Sequence, residues 1–161
     1  METTLTKIDR YLESAIEPWK AVGLVVGIIK NDQVIFKKSY GERTIHQEPM
    51  TTETRFAIGS ATKAFTAAAI AILIRQGKIR SWDDTVKTYL PYYAAADEYA
   101  QEHMTIRDLL CMRSGYSPKG YDNMLFHGSH FSMDEIIARS KYIPFELGFR
   151  ERMRYDNLNY L

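Results

Sequence analysis

The run Lys63-Ala64-Phe65-Thr66-Ala67-Ala68-Ala69-Ile70-Ala71-Ile72-Leu73-Ile74 constrains this chain more than any other segment. Wound as a helix, it is apolar nearly all the way round. A helix with one apolar stripe lies on a surface, whereas one without a polar face needs neighbours on every side. The run therefore predicts a helix buried in the middle of a layered domain, with Gly77 at its C-terminal cap. The apolar stretch from Ala64 to Ile74 is too short to cross a bilayer, so no transmembrane segment is expected. A length of 161 residues suits one domain with a real core. The net charge of +1 gives no footprint for nucleic acid or anionic membrane, and no nucleic-acid partner is expected.

Upstream, Leu5, Ile8, Leu12, Ala15 and Ile16 share one helical face, predicting an amphipathic opening helix that ends before Pro18. Gly23 to Lys30 and Gln33 to Lys38 then read as a β-hairpin with a tight turn at Asn31-Asp32. The first strand is continuously apolar rather than alternating, which predicts cover on both faces. Phe56-Ala57-Ile58-Gly59 reads as an extended, buried approach to Ser60. Downstream, Trp82-Asp83-Asp84 opens a short helix that Pro91 closes. Thr105 and Asp108 form a capping-box variant before Leu109-Leu110, and Ser114-Gly115 ends that helix. Tyr116 to His130 is a long loop, and Ser132 to Glu135 starts a further helix carrying Ile136 and Ile137. The single cysteine, Cys111, excludes an internal disulfide and reads as a buried structural thiol. Tyr89, Tyr92, Tyr93 and Tyr99 read as core and rim packing.

Ser60-Ala61-Thr62-Lys63 matches S-x-x-K. Residues three apart on a helix share a face, so the lysine amine can reach the serine hydroxyl. That hydroxyl is a poor nucleophile until a base takes its proton. The helix N-terminus also presents the Ser60 backbone N–H as half of an oxyanion hole. About one chance S-x-x-K is expected in a chain of this length, so the motif draws its weight from its flanks.

Those flanks carry a resemblance. Arg55 to Thr66, with Leu73-Ile74 and Gly77-Lys78-Ile79 downstream, resembles the first catalytic segment of serine β-lactamase-like and penicillin-binding proteins. The similar branch holds class C β-lactamases, D-alanyl-D-alanine carboxypeptidases, D-aminopeptidases and esterases. Thr105 to Gly115 resembles that family's T-I-R-D-L-L-S-H-T-S-G segment, with Cys111-Met112-Arg113 in place of Ser-His-Thr. The hairpin resembles the family's first two strands. The family's second motif, Y-x-N, occurs twice, as Tyr121-Asp122-Asn123 and Tyr155-Asp156-Asn157. The second copy precedes an apolar run, as the family places it, and the first reads as a loop turn.

The resemblance implies an α+β fold of the β-lactamase/transpeptidase type: an α/β sandwich with a helical region. Here it would comprise an N-terminal helix, a β-hairpin of an antiparallel sheet, and then mainly helices. It implies that residues 1–161 are the N-terminal portion of one such domain. It also implies acyl-enzyme hydrolysis of an amide, ester or β-lactam, the substrate being a small molecule or D-amino-acid peptide. Ser60 would be the nucleophile, with Lys63 and Tyr155 handling the proton. Asn157 would bind the substrate amide and the lysine amine. No cofactor is implied.

The third motif, K-T-G or H-x-G, is not matched: Lys87-Thr88 is followed by Tyr89, and His127-Gly128 has the wrong spacing. A complementary C-terminal chain or an oligomer is therefore expected to cover the first strand and the sheet face, and this chain alone is expected to be nearly inactive. Two other readings stay open: a non-catalytic penicillin-binding or scaffold protein, and a fragment without independent function. His127 and His130 lack the Cys or carboxylate partners of a metal set, so no metal site is expected. No signal peptide is visible, which as written places the chain in the cytoplasm; a removed leader would make it periplasmic or secreted.

Overall fold

Thr3 opens the first helix by accepting a hydrogen bond from the Thr6 backbone N–H at 3.2 Å. The same local event recurs at Asp97, Thr105, Ser132 and Asp156. The computed structural model describes residues 3–44, 48–119 and 130–161. The chain divides into two compact units, Met1–Ala57 and Ile58–Leu161.

In the first unit, helix α1 (Thr4–Ala15) ends before Pro18, where the periodicity places its end. Strands β1 (Gly23–Lys30) and β2 (Gln33–Thr44) pair antiparallel, with Lys30 opposite Gln33. Asn31 and Asp32 have φ of 51° and 60°, the left-handed pair of a two-residue turn that follows the strands' own twist. Strand β3 (Glu48–Pro49) lies beyond β2, so the order is β1-β2-β3. Asp9 ties α1 to β2, accepting from Lys38 Nζ at 2.6 Å and from the Tyr40 hydroxyl at 2.7 Å. These bonds, Lys38 first, hold the Asp9 carboxyl below its ordinary range. Burial, with Asp9 alongside, pushes the Tyr40 phenol up to about 12.

The double cover predicted for β1 is not found. None of its residues is buried, and Ile29 is 70% exposed. Among the described residues β1 pairs along one edge only, with β2.

In the second unit, a 3-10 turn at Gly59–Ala61 runs into α2 (Thr62–Arg75). The helix closes as the glycine predicts. Gly77 has φ +71°; its N–H donates to the Ile74 carbonyl at 3.0 Å, and Lys78 N–H donates to Leu73 at 2.9 Å. This pair of bonds is a Schellman closure. A Cβ at Gly77 would meet nothing within 4 Å, so only the left-handed backbone penalises a side chain there. Gly77→Ala is therefore expected to cost about 1 kcal/mol, read as a lower urea midpoint with unchanged m.

The unit's core lies away from α2. Helices α3 (Val86–Tyr89), α4 (Glu98–His103), α5 (Ile106–Leu110) and α6 (Met133–Arg139) surround it. Val86, Tyr93, Ala100, Met104, Tyr116 and Ile136 form its centre. No residue of α2 is buried, and Phe65 and Ile72 are 67% and 47% exposed. This corrects the expectation of a central helix. Thr66 and Ile70 face an apolar cavity of about 160 Å³ shared with Val86, Leu90, Leu109 and Tyr160.

Three smaller expectations also change. Helix α3 begins at Val86 rather than Trp82, because buried Asp84 takes the turn before it. Its carboxylate accepts from Arg80 and Ser81 N–H, from the Arg80 guanidinium and, at 2.5 Å, from the Tyr89 hydroxyl. The approach to Ser60 is exposed, with Phe56 at 56% and Ile58 at 57%. Cys111 is exposed as well, since it caps α5, which stops at Leu110 short of Ser114-Gly115. The capping box Thr105/Asp108 forms as the residues predict, and the helix expected from Ser132 opens with a second box, made with Glu135. Tyr93 lies in the core, and Tyr89, Tyr92 and Tyr99 lie on its rim.

Candidate active site

Ser60 sits in the middle of the 3-10 turn that leads into α2, and Lys63 lies in that helix's first turn. A 3-10 turn has three residues per revolution, so side chains at i and i+3 eclipse. Lys63 Nζ accordingly donates to Ser60 Oγ at 3.1 Å. The partners arrive from the far end of the sequence. Buried Asp156 caps a second 3-10 turn, Asn157–Tyr160, by accepting from Leu158 N–H at 2.8 Å. That turn packs on α5, where the Tyr160 hydroxyl donates to the Leu110 carbonyl at 2.9 Å.

The result brings all four sequence-derived site residues together. Ser60 Oγ lies 2.5 Å from the Tyr155 hydroxyl. Lys63 Nζ donates to Asn157 Oδ1 at 2.8 Å, and the Tyr155 hydroxyl donates to the same Asn157 oxygen at 3.3 Å. Serine, lysine, tyrosine and asparagine thus form one closed set of hydrogen bonds. Ser60 is exposed and Tyr155 is half exposed, so a substrate carbonyl can reach the hydroxyl. Such a set can move a proton from the serine to lysine or tyrosine and return it to a leaving group.

Sequence reasoning missed Tyr160. Its ring lies 5.5 Å from Lys63 Nζ and the Tyr155 ring 5.1 Å away, so two aromatic faces flank the amine. Burial pushes the Tyr160 phenol above its usual range. The available signal was its place three residues after Asn157, which a 3-10 turn returns to the same side. The other Y-x-N copy, Tyr121-Asp122-Asn123, and His127 lie outside the described residues. His130 is exposed. Among the described residues, no group of three or more His, Cys, Asp or Glu side chains could hold a metal ion. Nor is any described helix long and apolar enough to cross a membrane.

The fold agrees with the comparisons with known proteins. The Beta-lactamase family pattern matches residues 8–161, and the chain belongs to that family. It is 27% identical to Protein flp of Staphylococcus aureus over 96% of its own length and 31% of that protein's. It is 30% identical to Beta-lactamase-like protein 4 of Dictyostelium discoideum, over 95% of this chain and 28% of that one. Among solved structures it is similar to the octameric penicillin-binding protein homologue of Pyrococcus abyssi. There the TM-score is 0.77 at 27% identity, covering 98% of this chain and 37% of that one. The fold is thus β-lactamase/transpeptidase-like and α+β, and the chain spans about a third of the length of these relatives.

Proposed function

We propose that this chain carries the nucleophile and proton-handling groups of a serine acyl-transfer site, within the N-terminal portion of a single β-lactamase-like domain. One observation carries the reading: Ser60 Oγ lies 3.1 Å from Lys63 Nζ and 2.5 Å from the Tyr155 hydroxyl, with Asn157 bonded to the lysine. Ser60 Oγ attacks the carbonyl of an amide, ester or β-lactam. Its proton passes to Lys63 or Tyr155, and the Ser60 N–H faces the developing oxyanion. The leaving group takes the proton back, and water then releases the acyl group from Ser60. Asn157 holds the lysine amine in line and offers its amide to the substrate.

Incubation with a fluorophosphonate or a fluorescent penicillin, followed by peptide mass spectrometry, tests this reading. An adduct on Ser60 with continuing turnover of an ester or β-lactam is expected from the complete site. A lasting Ser60 adduct without turnover would point instead to a penicillin-binding protein that retains the acyl group. No adduct on Ser60 would overturn both.

The exposed apolar residues of α2 and the one-sided pairing of β1 support a further part of the proposal: a complementary chain or further copies cover them. Sedimentation velocity is expected to show concentration-dependent association. A monodisperse monomer across the micromolar range would count against it.

A further inference from the structure

Asp108 is 1% exposed and lies on neither of the two turns that bear the site. We propose that Asp108, with Arg113 and Arg150, is a positioning unit that sets Tyr155 and Asn157 opposite Ser60 and thereby governs the rate of acylation. The proposal rests on the reading of Ser60 as nucleophile.

The Asp108 carboxylate has more donors than its capping role requires. It accepts from Thr105 N–H at 3.1 Å, which with Asp108 N–H donating to the Thr105 hydroxyl at 3.1 Å makes the capping box, and from the Thr105 hydroxyl itself at 2.7 Å. It also accepts from Arg113 Nη2 at 2.9 Å and from Arg150 Nε and Nη2 at 3.0 and 2.7 Å. The Arg150 fork meets the carboxylate two-point, a geometry that fixes direction as well as distance. Arg150 Nη2 additionally donates to the His103 carbonyl at 2.9 Å. Arg150 itself has φ +63°, a backbone conformation that a non-glycine residue keeps only when its surroundings hold it there.

The held backbone is the lead-in to the site. Arg150 N–H donates to the Arg113 carbonyl and Arg154 N–H to the Met112 carbonyl, each at 2.9 Å. The segment 150–154 is therefore laid along residues 112–113, and Tyr155 is the next residue. The Arg154 guanidinium pairs with Glu146 at 2.6 Å, which pins the same lead-in from the other side. One carboxylate thus gathers both strips of backbone, through Arg113 on one and Arg150 on the other. Arg113 is one of the three positions at which this chain departs from the family segment it resembles, which has Thr at that place, so this chain's own residue completes the clamp.

Arg150→Lys and Asp108→Asn test the clamp. The lysine keeps the charge but loses the fork. With folding verified by circular dichroism at 25 °C, fluorophosphonate labelling of Ser60 is expected to show a maximal rate reduced about 10²-fold, because a misplacement of the order of 1 Å suffices for that loss. The probe's half-saturating concentration is expected to stay unchanged. Hydrogen exchange in peptides covering residues 150–157 is expected to quicken about tenfold or more. A merely structural clamp would lower the melting temperature and leave the maximal rate of the folded variants at the wild-type value, which overturns the proposal. If the wild-type chain takes no label, the reading of Ser60 fails by itself, and hydrogen exchange decides the clamp. Faster exchange confined to 150–157 in Arg150→Lys supports it, and unchanged exchange overturns it. Should Asp108→Asn not fold, Arg150→Lys carries the test alone.

Discussion

Replacing Lys63 by alanine is expected to slow covalent labelling of Ser60 about 10³-fold at neutral pH, a loss within the usual reach of a positioned general base. The fold should survive, because Lys63 is only partly buried, and its bonds are to Ser60 and Asn157 rather than to the core. Lys63→Arg is the more informative variant. Arginine keeps the positive charge beside Ser60 Oγ but cannot give up its proton. If the amine acts by holding and returning a proton, arginine should be as damaging as alanine. If it acts only as a charge, arginine should label within a few-fold of wild type, and the base assignment would be wrong. Time courses of adduct formation by mass spectrometry separate the two. The Tyr155 hydroxyl, 2.5 Å from Ser60 Oγ in the unsubstituted chain, is not touched by either substitution, so a residual rate above the Ser60→Ala background is expected.

Asp108→Ala carries the second large effect, on stability. It removes half of a capping box and the shared acceptor of Arg113 and Arg150; because both guanidinium groups are 39% exposed and keep part of their hydration, the cost is about 2–3 kcal/mol, the scale of lost charged hydrogen bonds and a lost cap. Urea denaturation followed by fluorescence would read this as a large fall in midpoint. The pH dependence has a fixed sign. Burial pushes the Asp108 carboxyl up, but the hydrogen bonds from Arg150, Thr105 and Arg113 outweigh it and hold the group below its ordinary value of 3.8. The folded state therefore binds this proton less readily than the unfolded chain. The stability it confers is fully present above about pH 4 and drains away as pH falls through the lowered value. Asp108→Asn should flatten that acid limb without abolishing it, since hydrogen bonds from Lys38 and Arg107 lower Asp9 and Asp83 in the same way. An unchanged acid limb in Asp108→Asn would contradict the assignment.

Local chemistry made much of this legible in the sequence. The caps at Thr105 and Ser132, the closure at Gly77 and the turn at Asn31-Asp32 all use side chains or φ values that residue type dictates. The pairing of Ser60 with Lys63 is a matter of three-residue spacing. Tyr155 and Asn157 could be named only through the resemblance of their segment to the family's Y-x-N motif, and their meeting with Ser60 and Lys63 spans some ninety residues and depends on tertiary packing. What the sequence misjudged was burial. The composition of α2 and β1 encodes surfaces that want cover, and composition cannot say whether the cover is at hand. Asp108 escaped attention for a different reason. Its capping role was evident from its spacing to Thr105, and nothing local to it announces that Arg150 will return to the same carboxylate.

Cys111, the chain's one thiol, stands exposed at the end of the helix that Thr105 and Asp108 cap. The molecule is therefore chemically addressable at a single point, one residue before Met112, whose carbonyl receives Arg154. A maleimide-linked dye or nitroxide attached there would ride on the backbone strip against which the tyrosine's lead-in is laid. Its mobility would give a spectroscopic gauge of that junction in solution, obtained without altering any of the charged groups that make it.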